Sequence, residues 1–159
     1  MRMTLAQFQT FVQQNIQWFE GVAQETEESL RSAEQRLGCP LPRTLRWLLS
    51  ELGYSDACGI SSLSEAVKRT EEVRQSIGLP DHYIILNDMG DAGLIYFDSS
   101  IVDVNGEYRL IWAGGHDIEG LAAGRLVSEE VDIYEDCPAW TRVKLEDAQD
   151  EPNAYQGAA

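Results

Sequence analysis

Asp88, Asp91, Asp98, Asp103, His116 and Asp117 have the strongest claim to chemistry in this sequence. They are oxygen and imidazole donors crowded into one stretch, and hard cations want oxygen ligands. The run Asn87-Asp88-Met89-Gly90-Asp91-Ala92-Gly93 loosely resembles a calcium loop. It lacks the regular ligand spacing and the closing bidentate Glu of such a loop. Asp and Asn in glycine-rich turns usually hydrogen-bond their own backbone instead, so turn chemistry is the preferred reading. A metal-dependent enzyme built on the Asp88–Asp98 region is kept as the lesser alternative. Nucleophilic chemistry has less support. Cys39, Cys58 and Cys137 are an odd, widely spaced set without a C-x-x-C, which excludes a disulfide framework and a standard zinc motif. Cys39 and Cys137 each precede a proline, a structural context, and all three read as free, mostly buried thiols. Ser99 and Ser100 lack the flanking glycines of a nucleophile elbow. Gly114-Gly115 is followed by no Lys-Ser/Thr that would make it a phosphate cradle. The sequence therefore reads as non-catalytic, with no cofactor and no metal.

Charge points elsewhere. The chain of 159 residues carries 12 basic and 27 acidic side chains, a net charge of −15. Residues 1–80 hold 8 basic and 10 acidic residues, whereas residues 81–159 hold 4 and 17. Direct nucleic-acid binding is excluded, since phosphate contacts need the opposite sign. An acidic surface always serves solubility. Its asymmetry also suits a face complementary to a basic protein, able to steer encounter. Asp88, Asp91, Asp98, Asp103, Glu107, His116, Asp117 and Glu119 are the residues nominated for that face. No apolar run is long enough to span a bilayer and the N-terminus has no signal-peptide core, so the expected location is the cytoplasm.

These residues need a frame, and the pattern supplies one. Thr4 and Gln7 form a capping box ahead of Leu5, Phe8, Val12, Ile16 and Phe19 at helical spacing, with Gly21 as the stop. A second helix starts near Thr26, with Glu27 and Glu28 at its positive end and Leu30, Ala33 and Leu37 inward. Gly38 closes it, Pro42 suits the first turn of the next, and Leu45, Leu48, Leu49 and Leu52 make one apolar stripe ending at Gly53. Ser62 and Glu65 open a fourth helix that Gly78-Leu79-Pro80 stops. After Pro80 the period changes to strands: Tyr83–Leu86, Leu94–Phe97, then Val102–Val104 and Tyr108–Trp112 around the hairpin signal Asn105-Gly106. Parity buries Leu110 with Trp112 and turns Arg109 and Ile111 to an exposed face. Gly114 to Gly124 reads as a long loop, Val131–Tyr134 as an edge strand, and Asp136-Cys137-Pro138 as the start of a last helix. The fold class is α+β: N-terminal helices packed on a mainly antiparallel β-meander, with a short C-terminal helix. One domain spans residues 1–150, with 1–25 as an extra N-terminal helix and 151–159 as a frayed tail.

The stretch Glu34, Leu37, Gly38, Leu41, Pro42, Leu48, Leu49, Leu52 and Gly53 carries a family resemblance. A helix ending Glu-x-x-Leu-Gly, then Leu-Pro opening an apolar helix that stops at Leu-Gly, resembles the signature of the SUKH superfamily. These are the Smi/Knr-like proteins, many of them bacterial immunity proteins. The resemblance covers roughly residues 26 to 148, counting the meander and terminal helix that follow. It implies a non-catalytic domain that neutralises a toxin, often a nuclease, and it offers no catalytic residues to carry over. A regulatory or scaffold protein of the same fold is the alternative.

Overall fold

The computed structural model describes residues 2–114, 118–123 and 131–150. Its helices are α1 (Leu5–Gln14), α2 (Glu27–Leu37), α3 (Arg43–Glu51), α4 (Leu63–Ile77), α5 (Ile118–Ala122) and α6 (Cys137–Asp150). Its strands are β1 (Tyr83–Asp88), β2 (Leu94–Val102), β3 (Tyr108–Ala113) and β4 (Val131–Tyr134). They form one antiparallel sheet in the order β1-β2-β3-β4, so the α+β class and the meander both hold.

Local signals set most of the boundaries. Thr4 and Gln7 make the reciprocal capping box. The helix behind it ends earlier than the apolar spacing suggests. The Asn15 side chain donates to the Phe11 carbonyl and a single 3-10 turn follows over Ile16–Trp18. Thr26 caps α2, and Gly38 ends it at φ +84°. Pro42 stands one residue earlier than expected, as the extended residue before α3. Ser62 caps α4 by accepting from the Glu65 N–H, and Gly78 ends that helix at φ +74°.

The α2–α3 corner is held by charge as well as by glycine. Glu34 accepts from the Leu41 N–H at 2.7 Å and from Arg46 at 3.2 Å, and Arg46 also grips both oxygens of Glu27. One guanidinium thus ties α3 to two carboxylates of α2. The Glu27 carboxyl is held below its usual range, chiefly by Arg46, with its partial desolvation opposing.

The main core lies between the helices and one sheet face. Phe8, Phe19, Leu30, Leu45 and Leu49 pack there with Ile84, Ile95, Phe97 and Leu110, and Trp140 and Leu145 of α6 close the layer. The other sheet face is not open. Ile85, Leu94, Tyr96, Ile111 and Ala113 form a second, smaller core with Val73 and Leu79 of the α4 region and Leu121 of α5. Ile111, expected on an exposed face beside Arg109, is only 6% exposed. The cover comes partly from α5, a five-residue helix inside the stretch read as loop. Period-2 parity gives the two sides of a strand but not what lies over each.

The runs Leu94–Phe97 and Val102–Val104 also resolve differently. The first continues through an irregularity between Asp98 and Val102 into a single strand. The hairpin turn then starts at Asp103, not Asn105. The Asp103 carboxylate accepts from the Asn105 and Glu107 N–H groups, and Gly106 alone of the turn residues has positive φ. This is a type I turn followed by a left-handed glycine, which leaves Val104 fully exposed at the tip.

The free edge of β1 is closed by a side chain. Thr70 of α4, fully buried, accepts from the Ile85 N–H at 3.0 Å and lies 2.8 Å from the Ala66 carbonyl, to which it donates. Thr70→Val keeps the shape but orphans that N–H. It is expected to cost about 1–3 kcal/mol, read as a lower urea midpoint at unchanged slope. An unchanged midpoint would mean the edge needs no such partner.

Candidate functional site

Several of the nominated acidic residues are engaged by partners within the molecule. Asp88 accepts from Arg69 at 2.9 Å and from the Gly90 N–H at 3.1 Å, closing the turn after β1. Asp98 accepts from the Ser100 N–H at 3.0 Å. Asp103 organises the β2–β3 turn with one oxygen and takes Arg2 at 3.0 Å with the other. Glu119 is exposed on α5. Of Asp91 only the backbone is described, and His116 and Asp117 lie outside the described residues.

Glu107 leaves the nominated surface altogether. It is 1% exposed, and its carboxylate accepts from both the N–H and the hydroxyl of Thr44, in the first turn of α3. Burial pushes its carboxyl up to about 7, while the two Thr44 bonds pull the other way and Asp136 and Asp103 add repulsion. Its charge is spent inside the molecule on holding α3 to the hairpin. Asp136, also 1% exposed, caps α6 by accepting from the Ala139 N–H at 2.9 Å. Its carboxyl too is raised by burial, with the Ala139 bond opposing. The same desolvation raises Cys137 well above an ordinary thiol, so this buried cysteine is no nucleophile. Among the described residues, no group of three or more His, Cys, Asp or Glu is placed to hold a metal ion.

Exposed carboxylates gather instead on β4 and α6, two elements the sequence reading did not nominate. Asp132 is exposed on β4, and Glu146, Asp147 and Asp150 are exposed on α6. Tyr134 and Trp140 pack edge-to-face at 5.2 Å, holding the two elements together. None of these four carboxylates has an ion-pair partner among the described residues; Glu27, Glu34, Glu71 and Glu72 of the helical half each have an arginine, while its exposed Glu20, Glu28, Glu51 and Glu65 have none among the described residues either. The placement on α6 is also costly. Glu146, Asp147 and Asp150 lie toward the negative end of the helix dipole, and no basic residue occupies its last turn. Each charge so placed costs roughly 0.3–1 kcal/mol of helix stability. The run Glu146-Asp147-Ala148-Gln149-Asp150 was the available signal in the sequence.

Among the described residues, no helix is long and apolar enough to cross a membrane. The arrangement offers exposed carboxylates on β4 and α6 and a tightly tied helical frame.

The family model SUKH_5, described as SMI1-KNR4 cell-wall, matches residues 1–112. The matched stretch runs from α1 to Trp112 of β3 and contains the whole Glu34–Gly53 corner, with β4 and α6 beyond its end. It begins at residue 1, so the N-terminal segment set apart as an extra helix lies inside it. With well over half of its length matched, the chain belongs to the SUKH_5 family and so to the SUKH superfamily.

Proposed function

We propose that this SUKH protein is a non-catalytic, protein-binding immunity protein that neutralises a cognate bacterial toxin domain in the cytoplasm. Family membership supports the general class, since SUKH proteins are often toxin immunity proteins and generally non-catalytic. The observation that carries the finer reading is the exposed set Asp132, Glu146, Asp147 and Asp150 on β4 and α6, without ion-pair partners among the described residues. A nuclease is the toxin class that fits, because a surface built to hold phosphate is basic. Carboxylates facing it would speed encounter and occupy the ground its substrate needs.

The test is neutralisation. The toxin domain encoded beside this gene is produced in cells with and without the protein, and nuclease activity is measured in their extracts. Full protection by the wild-type chain is expected. Protection should be lost when Glu146, Asp147 and Asp150 are all changed to Lys, at a thermal stability equal to or above that of the wild type. Failure of the wild-type chain to protect against its encoded neighbour would reject the reading.

A further inference from the structure

A cleft of about 500 Å³ opens where the loop after α3, the turn after β1, the sheet and α6 meet. Tyr54, Ile60, Met89, Ile95, Trp112 and Trp140 give it apolar and aromatic walls. Its size falls within the usual range for a small-molecule site. Its electrostatics run against the rest of the protein. Among the described side chains no carboxylate lines it, although the chain has 27, and Lys144 is the one charged lining residue among them.

Two glycine–indole contacts shape the walls. Gly59 has φ +76°, and a Cβ there would lie 2.8 Å from Trp140 Nε1. Gly93 has φ +124°, and a Cβ there would lie 2.7 Å from Trp112 Nε1. Both positions need glycine for conformation and for space.

The cleft also carries polar atoms without partners. Trp140 is 5% exposed, yet its Nε1–H has no acceptor among the described residues, and the buried Ser55 hydroxyl has no partner there either. A buried donor left unpaired costs about 1–3 kcal/mol. Lys144 Nζ stands 4.6 Å from the centre of the Trp140 ring, with no carboxylate paired to it among the described residues. An indole N–H and an ammonium can only donate, and a hydroxyl can donate too. The set calls for an acceptor-rich anion on a flat apolar body.

We propose that this cleft binds a small aromatic carboxylate, its ring against Trp112 and Trp140 and its carboxylate toward Lys144 and Ser55. The ligand is a free small molecule, and the site does not depend on the toxin-binding reading.

The test uses three indole probes on the full chain: indole-3-acetate, neutral indole-3-acetamide and cationic tryptamine. A protein of net charge −15 favours the cation everywhere except in this cleft. Binding is followed by calorimetry and by the four indole N–H resonances. Indole-3-acetate is expected to bind at least about tenfold tighter than either other probe. It should move the Trp112 and Trp140 resonances while leaving Trp18 and Trp47 in place. Lys144→Met should lose about tenfold in affinity for indole-3-acetate, and Lys144→Arg should keep most of it. The melting temperature of each variant reports its fold. Three results would each overturn the site: no binding of indole-3-acetate up to about 10 mM, equal or tighter binding of tryptamine, or Lys144→Met binding as the wild type does.

Discussion

Gly53→Ala is expected to destabilise the protein by about 3–5 kcal/mol, while Gly38→Ala costs only about 1 kcal/mol. Both glycines belong to the corner that carries the family signature, and both have nearly the same left-handed φ, at +83° and +84°. If conformation alone mattered, the two substitutions would cost the same. They differ in what stands nearby. A Cβ on Gly38 meets nothing within 4 Å. A Cβ on Gly53 would lie 2.4 Å from the Val22 carbonyl oxygen and 2.9 Å from its carbon. Those are backbone atoms, held by the paired bonds Val22 N–H to Tyr54 O and Tyr54 N–H to Val22 O, so they cannot swing aside. The alanine must break that bridge, and with it the seat of the segment between α1 and α2. Urea denaturation of both variants reads the difference. Equal losses would show that the close approach of residue 22 contributes nothing.

The second large effect is a change of sign at Glu107. Its carboxyl stands near 7 in the folded chain against an ordinary value of 4.5. The folded state therefore holds the proton more tightly than the unfolded state. Between about pH 4.5 and 7 the native chain binds more protons, so this group's stabilising contribution shrinks as pH rises through that window. The interval corresponds to a cost on the order of 3 kcal/mol once the group is ionised. Asp136, raised in the same direction by its burial, adds to the trend. The Thr44 hydrogen bonds oppose it, but desolvation is the larger effect. Glu107→Gln keeps an acceptor for the Thr44 N–H and removes the buried charge. It is expected to match wild type near pH 5 and to exceed it by about 1–3 kcal/mol near pH 8. Glu107→Ala loses both bonds and leaves a cavity, and should cost about 2–4 kcal/mol at pH 5. A Gln variant less stable than wild type at pH 8 would show that the ionised carboxylate is satisfied where it lies.

Much of the frame could be read from residue order. Thr4, Thr26 and Ser62 cap helices from their side chains, and Gly38 and Gly78 end them with positive φ, because caps are decided within a few residues. The hairpin after β2 was legible, though its turn belongs to Asp103, whose carboxylate gathers two backbone N–H groups. What was not legible depended on distant partners. Ile111 is buried because Leu121 and Leu79 reach the far sheet face, and nothing near Ile111 in the chain announces them. The site was less legible than the fold for the same reason. A carboxylate at Asp88, Asp98 or Glu107 looks in sequence like one at Asp147. Direction separates them: the first three serve Arg69, Ser100 and Thr44, and Asp147 faces solvent.

The most direct measurement is the association rate of the protein with its proposed partner, a toxin nuclease domain sought in the neighbouring gene, followed across ionic strength. A long-range attraction of the exposed β4 and α6 carboxylates for a basic surface should make that rate fall steeply with added salt. Asp147→Lys with Asp150→Lys should slow association about tenfold at low salt, with thermal stability equal to or above that of the wild type. Association indifferent to salt, and equal in that variant and the wild type, would contradict an acidic docking surface on β4 and α6.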